Sequence, residues 1–460
     1  MTTTKTFPRT TPSDRDIDAR GVLAFVDALE STPGVEPHSL MLLRHGQVVA
    51  QGWWQPYAAD RVHLLYSLSK SFTAAAVGIA VRENLIDLDA TALSYFPELD
   101  AEITDERSRR IRVRHLLAMA SGHREETLDR ARAADPTNTV RGFLLTPPDE
   151  EPGSVFAYNQ PCTYTLASIV RRVSGGSLVE YLRPRLLDPL GIDDLAWRRD
   201  ETGAELGYSG CYAPTSAIAA LGQLYLQRGV WDGERILDED WIAAATRTQV
   251  ENPGEENPDW SQGYGFQFWM ARHGFRGDGA YGQFCVVLPE QDVVLAITGQ
   301  SLDMQAVLDA AWQHLLPAVD RPSDADADTA LEARLASLGL PAVRGGSLPE
   351  HVAGRALRLL PGAALDAVGF DRGAHGIRLT VSADGASASV PVGEGKWAVE
   401  GALAASAATR SDGAVLVALR FVETPHLLWL RVDLAAGTVG TTWETEPLHD
   451  GALTLHRPAD

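Results

Sequence analysis

Only three lysines occur in the 460 residues, and one of them, Lys70, lies inside the apolar run LLYSLSKSFTAAAVGIA, three residues after Ser67. Positions i and i+3 share a helix face, so Ser67 and Lys70 are neighbours while Ser69 and Ser71 point elsewhere. An amine can take a proton from a hydroxyl only when it is itself neutral, and an unperturbed lysine, with a pKa of about 10.4, is charged at neutral pH. Burial disfavours the ammonium, and SFTAAAVGIA supplies the apolar surface to do so. A serine in the first turn also places its backbone N–H among the unpaired donors of the helix start, where an oxyanion can be held. The spacing therefore predicts nucleophilic catalysis through a covalent bond to Ser67.

Two further stretches extend this reading. FAYNQPCTYTLASIVRRVSG begins at Phe156 and DGAYGQFCVVLPEQDVVLAITG at Asp278. Together with LLYSLSKSF, VRHLLAMASG and YLQRGVWDGERIL, they resemble the serine β-lactamase and penicillin-binding-protein superfamily over about residues 21–316, nearest its class C branch of esterases, amidases and peptidases. The resemblance implies Ser67 as nucleophile, Lys70 as its activating partner and Tyr158 as the motif tyrosine that passes protons between nucleophile, lysine and leaving group. A phenol beside an ammonium is favoured as phenolate, and either Lys70 or Tyr158 is left open as the base. The resemblance also implies an oxyanion hole formed by the N–H groups of Ser67 and Gln283.

Two motifs depart from the family pattern. Gln160 stands where Tyr-x-Asn has its amide, and is expected to position substrate or Lys70. Ala280-Tyr281-Gly282 stands where Lys-Thr-Gly or His-x-Gly is usual, with Tyr281 and Gly282 expected along the substrate groove. No cation occupies that motif, so capture of a β-lactam or peptide carboxylate is weakened. Arg276, the nearest substitute, is expected to be an exposed structural arginine.

These residues need elements to carry them. Periodicity predicts a helix over DIDARGVLAFVDALES stopped by Pro33-Gly34, and two strands in SLMLLRHGQVVAQGWW turning at His45-Gly46. Further helices are expected from Ser67 to Asn84, in VRHLLAMAS, from about Cys162 to Leu182, in PTSAIAALGQLYLQRG, in DEDWIAAATRTQV and in DMQAVLDAAWQHLLP. The first two strands, about 39–54, should join later ones, about 265–299, in one sheet, with the Ser67 helix start meeting an edge strand near Gly282. The fold class is α+β: a β-lactamase/transpeptidase-like domain (1–320), a linker with one short helix (321–350) and an all-β antiparallel domain (351–460). Several members of the family carry a lipocalin-like barrel in that last place.

Composition narrows the partners. A net charge of −21 without a basic stripe argues against nucleic acid. There is no apolar run of membrane-spanning length and no signal-peptide core at the N-terminus, which predicts a cytoplasmic protein. Cys162, Cys211 and Cys285 are too few and too scattered for a disulfide framework. No metal-ligand spacing is present, and neither metal nor cofactor is expected. The expected partner is a small-molecule or short-peptide substrate, with a homodimer allowed. The expected function is that of a serine hydrolase or acyltransferase on a small ester, amide or peptide. Two alternatives stand beside it: a non-catalytic penicillin-binding-like sensor or scaffold, and a histidine phosphatase using His45 of LLRHGQ, although strand alternation on both sides favours a turn at His45-Gly46.

Overall fold

A computed structural model of the chain describes residues 7–373, 376–449 and 451–458. Its central sheet has six strands: β1 (Pro37–Arg44), β2 (Gln47–Trp53), β3 (Trp269–Met270), β4 (Phe275–Gly279), β5 (Gln283–Leu288) and β6 (Val293–Gly299), in the order β2-β1-β6-β5-β4-β3 and antiparallel throughout. The early hairpin thus joins the late strands, as its sequence predicts. Its turn is His45-Gly46, both at positive φ (50° and 71°), and His45 Nδ1 lies 2.6 Å from the Asp292 carboxylate.

The sheet is buried on both faces, because its strands are apolar at odd and even positions alike. Leu40, Leu42, Val286 and Ile297 pack under helix α1 (Ala19–Ser31), where Phe25, Val26 and Leu29 provide the apolar stripe. Met41, Leu43, Cys285, Val287 and Ala296 point the other way, where the helix Thr215–Leu226 packs on β1, β5 and β6, and helix α2 (Ser69–Arg82) shares that core. Every residue of α2 from Ser69 to Ala80 is buried. That explains why an alanine-rich helix with little polar surface is stable here: it is enclosed by tertiary packing on all sides. Gly78 admits the Trp241 ring, which an added Cβ would meet at 2.5 Å.

The long helix expected to run to Leu182 is interrupted. Helix α3 (Gln160–Ser174) ends at Gly175, φ 74°, and Ser177 caps a new helix, Leu178–Leu182, through a reciprocal bond with Glu180. The Gly-Gly-Ser at 175–177 is the local cause. Residues 325–336, expected as a short helix within a linker, form a helix whose Leu331 packs with Phe25 and Trp54 in the core beneath α1.

The C-terminal region is all β. Strands Leu403–Thr409, Val415–Phe421, Leu427–Asp433 and Thr438–Trp443 form an antiparallel meander within a seven-stranded sheet. A three-stranded sheet, Ala367–Gly373, Gly376–Ala383 and Ala386–Pro391, shares its core through Phe370, Leu379 and Val381. Two short parallel pairings, Arg358–Leu359 with 438–439 and Gly393–Glu394 with 406–407, depart from the purely antiparallel expectation. Among the described residues no helix is long and apolar enough to cross a membrane.

Candidate active site

Ser67 lies in a single 3₁₀ turn, Tyr66–Leu68, that leads into α2. Side chains at i and i+3 eclipse in such a turn, and Lys70 Nζ sits 3.0 Å from Ser67 Oγ. The other two serines of the motif are committed elsewhere. Ser69 Oγ donates to Tyr66 O (2.5 Å) and accepts from Cys211 N–H (2.9 Å), and Ser71 Oγ donates to Gln267 O (3.0 Å). Both are buried, whereas Ser67 is partly exposed.

Lys70 is 1 % exposed, and its second acceptor is the Tyr208 carbonyl at 2.9 Å. Burial pulls its pKa down to about 7, against the weaker opposing pull of Glu126 and Asp278. Among the described residues no carboxylate lies within ion-pair distance to rescue the charge. A large fraction of the amine is therefore neutral near pH 7, with a lone pair free to face Ser67.

Tyr158 arrives from 91 residues downstream on the segment entering α3. That segment is pinned by Ala157 N–H to Met119 O (3.0 Å) and by Asn159 Oδ1, which accepts from the N–H and hydroxyl of Thr127. The Tyr158 ring stacks on Trp269 at 5.2 Å, and Lys70 Nζ lies 4.6 Å from its centre. Burial raises the phenol pKa, Asp278 pushes the same way, and a hydrogen bond with Ser67 acts against them. The phenol is thus held protonated, opposite to the phenolate expected beside an ammonium, because desolvation outweighs the Ser67 hydrogen bond and the nearby Arg276 charge.

Strand β4 closes the other side. A Cβ at Gly279 would meet Leu65 O at 2.0 Å, and one at Gly277 would meet Ser71 Oγ at 2.4 Å. Only glycine lets the strand approach the start of α2 this closely. The approach is therefore at Gly277 and Gly279, just before Gly282, in the stretch of β4 that runs beyond its pairing with β3 at Phe275 and Arg276. A cleft of 780 Å³ opens here, lined among others by Ser67, Tyr158, Trp260, Trp269, Asp278 and Ala280. A larger cavity of 1490 Å³, between residues 9–14, Trp53 and Trp397, contains none of the groups that surround Ser67.

The remaining residues singled out from sequence lie outside that lining. Gln283 is wholly buried: its amide donates to Ala280 O (3.0 Å) and Gly299 O (2.8 Å) and accepts from Gly299 N–H (3.2 Å), tying β5 to its neighbours. Gly282 abuts Ser301, and the Tyr281 hydroxyl donates to Glu446 O (2.6 Å) in the C-terminal region. Gln160 opens α3 with its N–H 3.3 Å from Glu126 Oε1 and its own Oε1 buried without a partner. Arg276, expected to be exposed, is fully buried: it bonds Asp278 Oδ2 (3.1 Å) and Asp259 O (2.7 Å) and lies 4.1 Å over the Trp260 ring. A buried carboxylate and an aromatic face compensate its charge. Sequence alone does not single out Asp278 or the two tryptophans. The Gly-Asp-Gly at 277–279 was the available signal, since glycines at alternate strand positions mark a close approach on one face. Among the described residues, no three His, Cys, Asp or Glu side chains gather as a metal-ligand set.

The family model described as Beta-lactamase matches residues 24–318. The 6-aminohexanoate-dimer hydrolase of Paenarthrobacter ureafaciens is 28% identical over 282 residues, 56% of this chain and 71% of that protein. The lovastatin esterase of Penicillium rubens is 32% identical over 170 residues, 32% of this chain and 42% of that protein. Among solved structures, EstCE1, described as a hydrolase with promiscuous acyltransferase activity, superposes with a TM-score of 0.53 at 16% identity, covering 64% of this chain and 99% of its own. With the family model spanning well over half of the sequence, and with hydrolases and esterases among its relatives, this chain belongs to the Beta-lactamase family and is a serine hydrolase.

Proposed function

We propose that the protein cleaves or transfers the acyl group of a small ester or amide through an acyl-enzyme on Ser67, with neutral Lys70 as base. The observation that carries this reading is the 3.0 Å contact between Ser67 Oγ and an amine that is almost fully buried and has no bonded carboxylate. The Ser67 oxygen attacks the substrate carbonyl carbon while its proton passes to Lys70 Nζ. The protonated Tyr158 hydroxyl delivers a proton to the leaving group as the carbon–heteroatom bond breaks and takes one back from the Lys70 ammonium, which restores the neutral amine. Water, or another nucleophile in acyl transfer, repeats the sequence and frees Ser67. The oxyanion is held by the N–H of Ser67, unpaired at the start of its turn, and by that of Ala280, which lines the cleft at the end of β4. Ala280 takes the role assigned from sequence to Gln283.

The relatives' names span a 6-aminohexanoate-dimer hydrolase, a lovastatin esterase and a hydrolase with acyltransferase activity, which supports acyl chemistry on small molecules. The three buried, unpaired cysteines support the further reading that the protein works in a reducing compartment. Intact-mass spectrometry after exposure to a fluorophosphonate and to a panel of small esters, amides and β-lactams tests the proposal. A single adduct mapping to Ser67 is expected, with the β-lactams reacting most slowly. An adduct elsewhere, or none, rejects it.

A further inference from the structure

The two residues adjoining the proposed oxyanion donors both hold a left-handed backbone. Tyr66, immediately before Ser67, has φ 47°, and Tyr281, immediately after Ala280, has φ 66°. Side-chain-bearing residues rarely adopt this conformation, and bulky aromatics least of all. Tyr281 lies with Gly282 (φ 88°) in the tight loop joining β4 to β5, closed by Gly282 N–H on Gly279 O at 3.2 Å, a turn that itself calls for positive φ, whereas Tyr66 lies in no hairpin. What they share is tertiary, because both phenols end on the C-terminal β region.

Tyr66 Oη lies 2.5 Å from His426 Nε2. His426 Nδ1 faces the Thr445 carbonyl at 2.8 Å and must carry the ring proton there, so Nε2 accepts and the tyrosine donates. Tyr281 Oη donates to Glu446 O at 2.6 Å. The three rings form a closed set, with centroids 5.6 Å apart for Tyr66–Tyr281, 5.8 Å for Tyr66–His426 and 5.5 Å for Tyr281–His426. Tyr66 and His426 are buried. The anchors belong to adjoining segments at one end of the meander. His426 immediately precedes strand Leu427–Asp433, Thr445 and Glu446 follow strand Thr438–Trp443, and Glu444 N–H bonds Leu427 O at 2.9 Å.

We infer that the C-terminal β region is a positioning device for catalysis. His426 and the Thr445–Glu446 segment clamp Tyr66 and Tyr281, and through them set the separation of the Ser67 and Ala280 N–H groups. This rests on the acyl-serine reading above. Stabilising an oxyanion requires both donors at hydrogen-bond distance from one developing charge, and strained φ values persist only while their surroundings over-determine them. Releasing either phenol lets its backbone relax and moves the adjoining donor. Tyr66, Tyr281 and His426 touch no reacting atom.

The test uses the full-length protein and the variants Tyr66→Phe, Tyr281→Phe, His426→Gln and His426→Leu. Tyr57→Phe serves as control, because the Tyr57 hydroxyl also donates to a backbone carbonyl of the β region, Thr424 O at 2.9 Å, but Tyr57 adjoins neither proposed oxyanion donor. Each protein is measured for Tm, for kcat and KM on a neutral nitrophenyl ester, and for the rate of Ser67 labelling by a fluorophosphonate. The phenylalanine variants and His426→Leu are expected to lose roughly tenfold in kcat and in labelling rate with KM within about twofold, as small displacements of catalytic groups do. His426→Gln, which keeps an acceptor for Tyr66, should recover most of that loss, and Tyr57→Phe should keep wild-type kcat. If the phenylalanine variants match wild-type kcat and labelling per folded molecule, or if Tyr57→Phe falls as far as they do, the β region only stabilises the fold. A wild-type protein that never labels at Ser67 overturns the underlying reading instead.

Discussion

Two cations are buried almost equally in this molecule and fare in opposite ways. Lys70 is 1 % exposed and Arg420 is 2 % exposed. Lys70 bonds a hydroxyl and a carbonyl and faces the Tyr158 ring, and burial drags its pKa to about 7. For Arg420, burial acts in the same direction but is outweighed by Glu36, bonded at 2.7 Å and 3.2 Å, so the guanidinium is held more firmly charged. That pair belongs to a network that continues through His38 to His63 and joins the start of β1 to strand Val415–Phe421. A buried charge with its counter-charge supports structure, while one left with neutral partners gives up its proton and can act as a base.

The comparison can be broken at its strongest point first. Ser67→Ala should reduce ester hydrolysis on the order of 10³-fold or more, as loss of a nucleophile does. Ser69→Ala should keep the chemistry and lose about 1–3 kcal/mol in chemical denaturation, because the buried Cys211 N–H forfeits its acceptor. Retained acylation in Ser67→Ala would end the argument. Next come the cations themselves. Arg420→Met should lose about 3 kcal/mol of stability by stranding Glu36. Lys70→Met should abolish activity yet stay as stable as wild type, or up to about 2 kcal/mol more stable at pH 6, where the buried ammonium is a penalty.

Titration sharpens the contrast further. Activity should rise with pH through about 7 as Lys70 loses its proton, which a kcat/KM profile on a neutral ester will show. Because the folded pKa lies below the unfolded value, the unfolded chain binds the extra proton between about 7 and 10.5, and Lys70 adds stability as pH rises through that window. Glu36 has the opposite origin and the smallest effect. Its pKa falls from 4.5 to about 2, so its contribution is complete above 4.5 and is lost as pH drops towards 2. Acid unfolding of Glu36→Gln should therefore differ from wild type at pH 5 and converge with it near pH 2.

Much of this was legible in the chain, for local reasons. The hairpin about His45-Gly46, the α1 helix and the six-strand sheet follow from apolar periodicity and turn residues. The break in the long helix at Gly175 was overlooked because its apolar pattern resumes in the next helix. Arg276 was misplaced for another reason: arginines are usually exposed, and only the tertiary fold brings Asp259, Trp260 and Asp278 around this one. Gln283 and Ala280 differ by three residues across a hairpin, and only the folded register puts one inside the sheet and the other on the cleft.

The sequence by itself determined that a serine and a lysine stand side by side, because one helical turn is enough to bring i and i+3 together. It also determined that this pair sits in apolar surroundings, since the residues that follow contain almost nothing else. Only the tertiary structure decided which phenol and which strand face them and how the amine loses its charge. It also decided that the C-terminal β region reaches back to Tyr66 and Tyr281. Those outcomes depend on contacts between residues 90 to 380 positions apart, whose geometry and desolvation arise only once the sheet, the helices and the β region have packed.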